Sequence, residues 1–204
     1  MTDKQEQRLE RLEPYMKDPL VRALLDTIAY CEGTDRPDQF GAGGRDNLCG
    51  YGTGFNYKFF DPFASDGHPF RLKTGASAAG RYQFLKSSWA EDIEKNLGLE
   101  GFDPKDQDYA AIWQLVAKRR VIEALKRGNL SQVLDKISYE WASIPTSKNQ
   151  YRYNGQTGPF TPLQFQDFLK RRAKFWKQIL DNGQMDTALA QLHAGTPPGL
   201  VLVG

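Results

Sequence analysis

Four capping residues in this chain each stand directly before a proline, a pairing that marks the start of a helix. Proline fits the first helical position because its missing N–H would have no partner there, and the preceding side chain caps the turn. After three of the pairs, apolar residues recur at helical spacing up to a glycine, which predicts helices over residues 19–33, 104–128 and 162–183. Turn residues follow the remaining pair, Asp61-Pro62. The other three pairs are Asp18-Pro19, Asp103-Pro104 and Thr161-Pro162.

Residues 40–80 differ from the rest of the chain, because they hold nine of the 19 glycines and show little helical periodicity. This composition predicts loops and a small sheet, with strands at Tyr51–Phe60 and Phe70–Lys73. Further helices are predicted over residues 86–97 and 130–141. Helices on both sides of a small irregular sheet give an α+β fold class that is mostly α.

The length of 204 residues is that of one domain, which can bury a core without metal or disulfide staples. We expect this domain to span residues 15–182, preceded by a peripheral arm at 1–14 and followed by a tail at 183–204. Charged residues make up 25% of the sequence and no long apolar run occurs, which excludes a disordered chain and a membrane span. The two cysteines and two histidines lack a zinc-ligand spacing, so neither a metal nor another cofactor is expected.

Charge is distributed unevenly around a net value of +2. Residues 1–110 carry 14 basic and 19 acidic side chains, whereas residues 111–182 carry 13 basic and 5 acidic ones. A basic half attracts anionic polymers such as nucleic acid, lipopolysaccharide or cell wall, although a solvated helix face is the simpler explanation. The basic helices carry no recognisable nucleic-acid motif, so a nucleic-acid partner is not expected.

Glu32 is the candidate catalytic residue, because it ends the helix that begins at Pro19 and Gly33 follows it as a helix stop. The last carbonyls of a helix carry partial negative charge, which disfavours ionisation of a nearby carboxyl by ~0.3–1 kcal/mol. A carboxyl that keeps its proton is what a general acid needs. The alternative is an ordinary solvent-exposed glutamate at a helix end.

Cys31 offers a rival chemistry as a thiol nucleophile, with His68 as its base. The C-terminal end of a helix works against a thiolate, which disfavours this alternative. A disulfide between Cys31 and Cys49 would form only in an oxidising compartment, and two reduced, partly buried thiols are the simpler expectation.

A second informative stretch covers residues 78–84, where small residues precede an arginine, a tyrosine and a glutamine. A glycine allows another chain to approach the backbone closely. A donor, an aromatic ring and an amide suit sugar hydroxyls and N-acetyl groups, and tyrosine rings elsewhere offer apolar surface with a polar tip. The tyrosines considered for a sugar cleft are Tyr51, Tyr57, Tyr151 and Tyr153. The predicted sugar contacts are Tyr51, Gly80, Arg81, Tyr82, Gln83 and Tyr151.

These stretches, together with others in the same order, resemble the lambda-type endolysins of bacteriophages, glycoside hydrolase family 104. The family pattern Ser-Glu-Gly-Thr-Asp appears here at residues 31–35 with Cys31 in place of serine, and Ala-Gly-Arg-Tyr-Gln appears unchanged at 79–83. The family's Trp-Ala-Ser-Leu-Pro appears at 141–145 with Ile144 in place of leucine. Order and spacing are kept from about residue 19 to residue 182.

The resemblance implies a lysozyme-like fold and a lytic transglycosylase, which cuts the β-1,4 bond between N-acetylmuramic acid and N-acetylglucosamine in peptidoglycan without adding water. It implies that Glu32 protonates the leaving oxygen and then accepts the proton of the muramic acid 6-hydroxyl, which closes a 1,6-anhydro ring. A hydrolytic muramidase would instead need a second carboxylate. The chain offers four candidates for it, Asp35, Asp46, Asp61 and Asp66.

A further alternative is a weakly active wall-binding component of a virion or secretion apparatus, attached through residues 1–14 or 183–204. The first twenty residues show no apolar core of a secretory signal. We therefore expect synthesis in the cytoplasm without stable membrane insertion. The resemblance implies action on the periplasmic wall, reached through a membrane lesion or by carriage on a virion.

Overall fold

The computed structural model describes residues 1–35, 49–53, 60–64, 68–71 and 77–199. Within these residues helices dominate and two short strands pair antiparallel, which confirms the α+β, mostly α class. In chain order the elements are α1 (Asp3–Met16), α2 (Pro19–Cys31), β1 (Ala78–Ala79), β2 (Phe84–Leu85), α3 (Lys86–Ser88), a π-helical segment (Trp89–Glu94), α4 (Lys95–Leu97), α5 (Pro104–Trp113), a second π-helical segment (Gln114–Lys118), α6 (Ile122–Lys126), α7 (Leu130–Ile137), α8 (Pro162–Asp181) and α9 (Met185–His193).

Helices α2, α5 and α8 begin at the prolines that the sequence indicated. The Asp18 carboxylate accepts from the Leu20 N–H at 2.9 Å, and the Asp103 carboxylate accepts from the Asp106 N–H at 2.9 Å. Thr161 forms a capping box at the start of α8. Each start therefore depends on local capping, which is why the sequence could predict it.

The long helix predicted over residues 104–128 is interrupted. After Trp113 the helix widens into the second π-helical segment, and the N–H of Arg119 donates to the carbonyl of Gln114 at 2.8 Å. Arg120 then adopts a left-handed φ of 52°, which ends the run before α6 begins at Ile122. Helix α7 also ends earlier than predicted, at Ile137.

The strand pair that the structure describes lies outside the two predicted strands. Strands β1 and β2 flank the turn at residues 80–83, with Ala78 opposite Leu85. Tyr51, Gly52, Phe70 and Arg71 lie in turns, so the strand predictions are wrong there, whereas residues 54–59 and 72–73 lie outside the described residues. The chain enters the turn at Tyr51 from left-handed backbone at Cys49 and Gly50.

Helix α2 forms the centre of the core and packs mainly against α8. Leu12 and Met16 of α1 and Leu189 and Leu192 of α9 join the same buried cluster. Helix α9 lies in the segment expected to form a tail, and its N-cap is Gln184. No helix among the described residues is both long and apolar enough to cross a bilayer.

Candidate active site

Glu32 occupies the C-cap position of α2, where its N–H donates to the carbonyl of Ile28 at 2.9 Å. The chain reverses through Gly33 at φ +75°, and the N–H of Thr34 donates back to the carbonyl of Ala29 at 3.1 Å. This ending agrees with the stop predicted at Gly33. The Glu32 side chain is partly exposed at the end of an otherwise buried helix.

Thr34 ties this helix end to the turn between β1 and β2. Its buried hydroxyl lies 2.5 Å from the carbonyl oxygen of Arg81 and 3.0 Å from that of Ala29. The backbone of Gly50 packs against Thr34 so closely that an added Cβ would lie 2.7 Å from the Thr34 carbonyl oxygen. The two motifs that the sequence singled out are therefore joined directly.

Ser143 contacts Glu32 from a distant part of the chain. Its hydroxyl donates to Oε1 of Glu32 at 2.5 Å. Ser143 belongs to the Trp-Ala-Ser-Ile-Pro motif, whose Trp141 donates from Nε1 to the carbonyl of Tyr82 at 3.0 Å. Sequence reasoning recognised this motif but gave Ser143 no role, because no local pattern shows which distant side chain a serine meets.

The turn between β1 and β2 depends on Gly80, which has φ +81°. A Cβ at this position would lie 2.8 Å from Cδ of Gln107 and 2.9 Å from Cε1 of Phe102. Gln107 holds the turn, because its Oε1 accepts from the Arg81 N–H at 2.8 Å. Its Nε2 donates to the carbonyls of Tyr51 and Phe102 at 3.0 and 2.9 Å. The turn is thus fixed to α5.

Arg81 points into the protein and joins three acceptors. Its guanidinium donates to Asp26 at 2.9 Å, to Asp35 at 2.7 Å and to the carbonyl of Cys49. Arg172 of α8 donates to the other oxygen of Asp26 at 2.8 Å. Burial favours the neutral carboxyl, but the charges of Arg172 and Arg81 hold the pKa of Asp26 below its usual value.

Asp108 anchors a second buried cluster behind the turn. The hydroxyls of Tyr51 and Tyr82 donate to its Oδ1 at 2.8 and 2.5 Å. Arg22 donates to Oδ2 at 2.5 Å, and Nε2 of His193 lies 2.9 Å from the same oxygen. Burial opposes ionisation of Asp108, but the charge of Arg22 and the hydrogen bond with His193 hold its pKa well below the usual range. Burial and the charge of Asp108 raise the pKa of both tyrosines well above 10.0.

The predicted sugar contacts separate into buried and partly exposed side chains. Tyr51, Arg81 and Tyr82 are at most 1% exposed and direct their polar atoms into the protein. Gln83, at φ +45°, and Tyr151 are partly exposed. In this geometry Tyr51, Arg81 and Tyr82 support the turn from inside the protein. Direct contact with a glycan stays a prediction for all six residues.

Aromatic side chains pack next to the end of α2. Tyr30 stacks on Phe160 with ring centroids 5.0 Å apart and an interplanar angle of 6°. Tyr151 donates its hydroxyl to the carbonyl of Phe160 at 3.2 Å, and burial raises its pKa. Tyr153 instead donates to the carbonyl of Tyr139 at 2.9 Å, and Tyr57 lies outside the described residues. Of the candidate cleft tyrosines that the structure describes, Tyr151 is therefore the one that joins these aromatic side chains.

Two of the four candidate second carboxylates lie within the described residues. Asp35 is 33% exposed and forms the ion pair with Arg81 already described. Asp61 accepts from the N–H of Phe63 at 2.9 Å and so caps a turn. A cavity of about 380 Å³ lies beside Asp35 and is also lined by Tyr30 and the buried Arg81. The other two candidates, Asp46 and Asp66, lie outside the described residues.

The cysteines do not form the alternative thiol site. Cys31 and Cys49 are both buried and carry no disulfide, and burial raises the pKa of Cys49 to about 11. His68 lies against the rings of Phe70 and Trp89, and burial lowers its pKa, so it is a weak base there. In the part of the chain that the structure describes, no three His, Cys, Asp or Glu side chains are grouped to hold a metal ion.

Two comparisons with known proteins give matches to this chain. A family model described as Endolysin matches residues 22–164. The endolysin of Escherichia phage lambda is 35% identical over 129 residues, an alignment that covers 61% of this chain and 76% of that protein. The family match includes Glu32, the turn at 80–83 and Ser143, whereas α1 and α9 lie outside it.

Proposed function

Because the chain belongs to the endolysin family of phage cell-wall lytic enzymes, we propose that it cleaves peptidoglycan as a lytic transglycosylase with Glu32 as acid and then base. Its substrate is the β-1,4 bond between N-acetylmuramic acid and N-acetylglucosamine. The observation that carries the proposal is the partly exposed Glu32 carboxyl at the end of α2, held by Ser143 at 2.5 Å and joined through Thr34 to the neighbouring turn. One fixed carboxyl is what a single acid–base residue requires.

The reaction needs no second protein carboxylate. Glu32 gives its proton to the glycosidic oxygen as the bond from that oxygen to C1 of the muramic acid breaks. The 6-hydroxyl oxygen of the same sugar bonds to C1, and its proton goes to the Glu32 carboxylate. The proton that Glu32 donated is thus replaced, no water is consumed, and Glu32 is protonated again for the next cycle.

Two kinds of residue assist Glu32 in this proposal. Gln83 and Tyr151, which are partly exposed, contact the glycan. Gly80, Arg81 and Tyr82 set the shape of the turn from inside, as does Tyr51 through Asp108. This division follows from burial, because a side chain without exposed atoms offers no hydrogen bond to a polymer outside.

The decisive experiment compares Glu32→Gln with Glu123→Gln, which changes an exposed glutamate on α6. Clearing of outer-membrane-stripped cells is measured by turbidity, and both variants are checked for folding by circular dichroism. We expect Glu32→Gln to fold normally and clear no cells, whereas Glu123→Gln matches the unmodified chain. Substantial clearing by Glu32→Gln would reject Glu32 as the acid.

Product mass separates transglycosylation from hydrolysis. Anhydro ends are lighter than reducing ends by one water, and we expect anhydro ends. Reducing ends alone would indicate a muramidase, with Asp35 as the second carboxylate to test by Asp35→Asn. Wall binding without any turnover would instead indicate a virion or secretion component.

The basic half of the chain does not by itself indicate a nucleic-acid partner. Lys118 and Arg119 pair with Glu140, and Arg172 pairs with the buried Asp26. Part of the positive charge is therefore neutralised inside the fold. A salt-dependent affinity for DNA, measured by fluorescence anisotropy, would contradict this part of the proposal.

The proposed place of action is the periplasmic cell wall, reached through a membrane lesion or on a virion. Helices α1 and α9, which the family match does not include, are the candidate attachment elements for a virion. Immunoblots of purified virions and of infected-cell fractions distinguish the two routes. Detection in virions supports carriage, and detection only in the cytoplasm before lysis supports release.

A further inference from the structure

We infer that Ser143 is a positioning residue, which holds the Glu32 carboxyl in one orientation for proton transfer to the glycosidic oxygen. This inference rests on the proposed acid–base function of Glu32. The Ser143 hydroxyl donates to Oε1 of Glu32 at 2.5 Å, across 111 residues of sequence. Neither the family match nor the motif itself assigns this serine a role.

Buried neighbours fix the backbone of Ser143 from the inside. Trp141 is 3% exposed and Ile144 is fully buried. Trp141 donates to the carbonyl of Tyr82 at 3.0 Å, and the N–H of Ile144 donates to the carbonyl of Trp141 at 3.1 Å. The serine therefore projects from a rigid corner rather than from a mobile loop.

Gly158 also packs against the backbone of Ser143. A Cβ at Gly158 would lie 2.9 Å from the carbonyl carbon of Ser143 and 3.0 Å from Cε1 of Tyr151. The chain at Gly158 thus lies directly on Ser143, and no side chain larger than hydrogen fits between them.

A fixed hydroxyl donor gives the carboxyl a preferred protonation site as well as an orientation. A hydroxyl that donates to Oε1 favours the form of Glu32 in which the acidic hydrogen resides on Oε2, because Oε1 then remains a good acceptor. Proton transfer requires the donor oxygen to be close to and aligned with the leaving oxygen. Loss of the serine hydroxyl should therefore slow the chemical step more than it weakens glycan binding.

The test compares Ser143→Ala and Ser143→Thr with Ser147→Ala as the matched control. Ser147 donates its hydroxyl to Asp135 at 2.8 Å, so the control removes a similar bond from the same segment without touching Glu32. We expect Ser143→Ala to lower kcat on soluble glycan strands about 10- to 100-fold and to change KM less than about twofold. Ser143→Thr should restore activity to within about threefold, because threonine retains the hydroxyl.

Gly158→Ala tests the same idea with the hydroxyl left in place. The added methyl displaces Ser143, so kcat should fall, whereas Gly155→Ala, whose Cβ meets open space, should leave kcat nearly unchanged. Thermal unfolding confirms that each variant is folded. If Ser143→Ala is as active as Ser147→Ala, the positioning role is overturned. In that case an inactive Glu32→Gln still supports the proposed function. Turnover that survives Glu32→Gln overturns both.

Discussion

His193 lies 2.9 Å from Asp108 and so joins α9 to the buried cluster behind the turn at residues 80–83. Asp108 is completely buried, whereas the side chain of His193 is 20% exposed. The same Asp108 accepts from the hydroxyls of Tyr51 and Tyr82. A helix outside the family match therefore helps to hold the framework of the candidate site.

We predict that His193→Ala lowers the free energy of unfolding by ~1–3 kcal/mol, because it removes a hydrogen bond to a buried carboxylate. Urea denaturation followed by tryptophan fluorescence measures the change. The control is Asp186→Ala, which breaks the exposed ion pair of Asp186 with Lys17 and should have a much smaller effect, because solvent screens that pair. Equal effects of the two substitutions would show that His193 adds nothing to the buried cluster.

Gly80→Ala should destabilise the protein and reduce its activity together. The methyl group would collide with Gln107 and Phe102 at a left-handed φ, and the combined cost is about 3 kcal/mol or more. Thermal unfolding and cell clearing are the two measurements. Because Gln107 also holds the backbone of Arg81, displacing Gln107 should distort the turn at residues 80–83.

Gly183→Ala separates backbone strain from this collision. Gly183 also has a left-handed φ, of 67°, but an added Cβ meets nothing within 4 Å. We expect it to cost about 1 kcal/mol and to leave activity unchanged. A Gly80→Ala variant no worse than Gly183→Ala would argue against a tightly packed turn.

The fold was predictable where short-range chemistry decides it. The starts of α2, α5 and α8 depend on a cap and a proline that are adjacent in sequence, and the end of α2 depends on Gly33. The break after Trp113 in the helix predicted over residues 104–128 was not predictable, because Arg120 adopts a left-handed φ and no glycine marks that position. Strands β1 and β2 were missed because two-residue strands carry no periodicity.

The candidate site was predictable in its position but not in its contacts. The motif around Glu32 located the helix end correctly, yet Ser143 meets it from 111 residues away. The motif around Arg81 suggested a donor for sugar, whereas the structure turns that guanidinium inward to Asp26. Sequence shows which groups can bond, but packing decides which way an arginine points.

Asp106 should make the protein less stable as the pH rises. Burial and the nearby charge of Asp103 raise the pKa of Asp106 from 3.8 to about 7 in the folded state. Between these two pKa values the folded carboxyl keeps its proton, whereas the unfolded one has lost it. The stability that the protein has below pH 3.8 therefore falls as the pH approaches 7. Asp106→Asn cannot ionise and should be more stable than the unmodified protein by ~1–2 kcal/mol near neutral pH.

Urea denaturation from about pH 4 to about pH 8 measures this difference, which should grow with pH and then level off. The control is Asp167→Asn, an exposed aspartate on α8, for which no such growth is expected. Asp26 and Asp108 act in the opposite direction, because their lowered pKa values add stability that is lost in acid. A stability difference for Asp106→Asn that is constant with pH would contradict the raised pKa.

Arg81→Lys distinguishes a supporting arginine from one that holds sugar. A lysine keeps the charge, but its single ammonium cannot reproduce the guanidinium contacts with Asp26, Asp35 and the Cys49 carbonyl. We expect the free energy of unfolding to fall by ~2–4 kcal/mol, because buried carboxylates lose their partner, and activity to fall with it. Arg171→Lys, on the exposed face of α8, should change neither quantity. The contrary result is that Arg81→Lys leaves the free energy of unfolding unchanged and only raises KM for glycan strands. That result would mean that Arg81 contacts the substrate directly, and that its inward orientation is not the one used in catalysis.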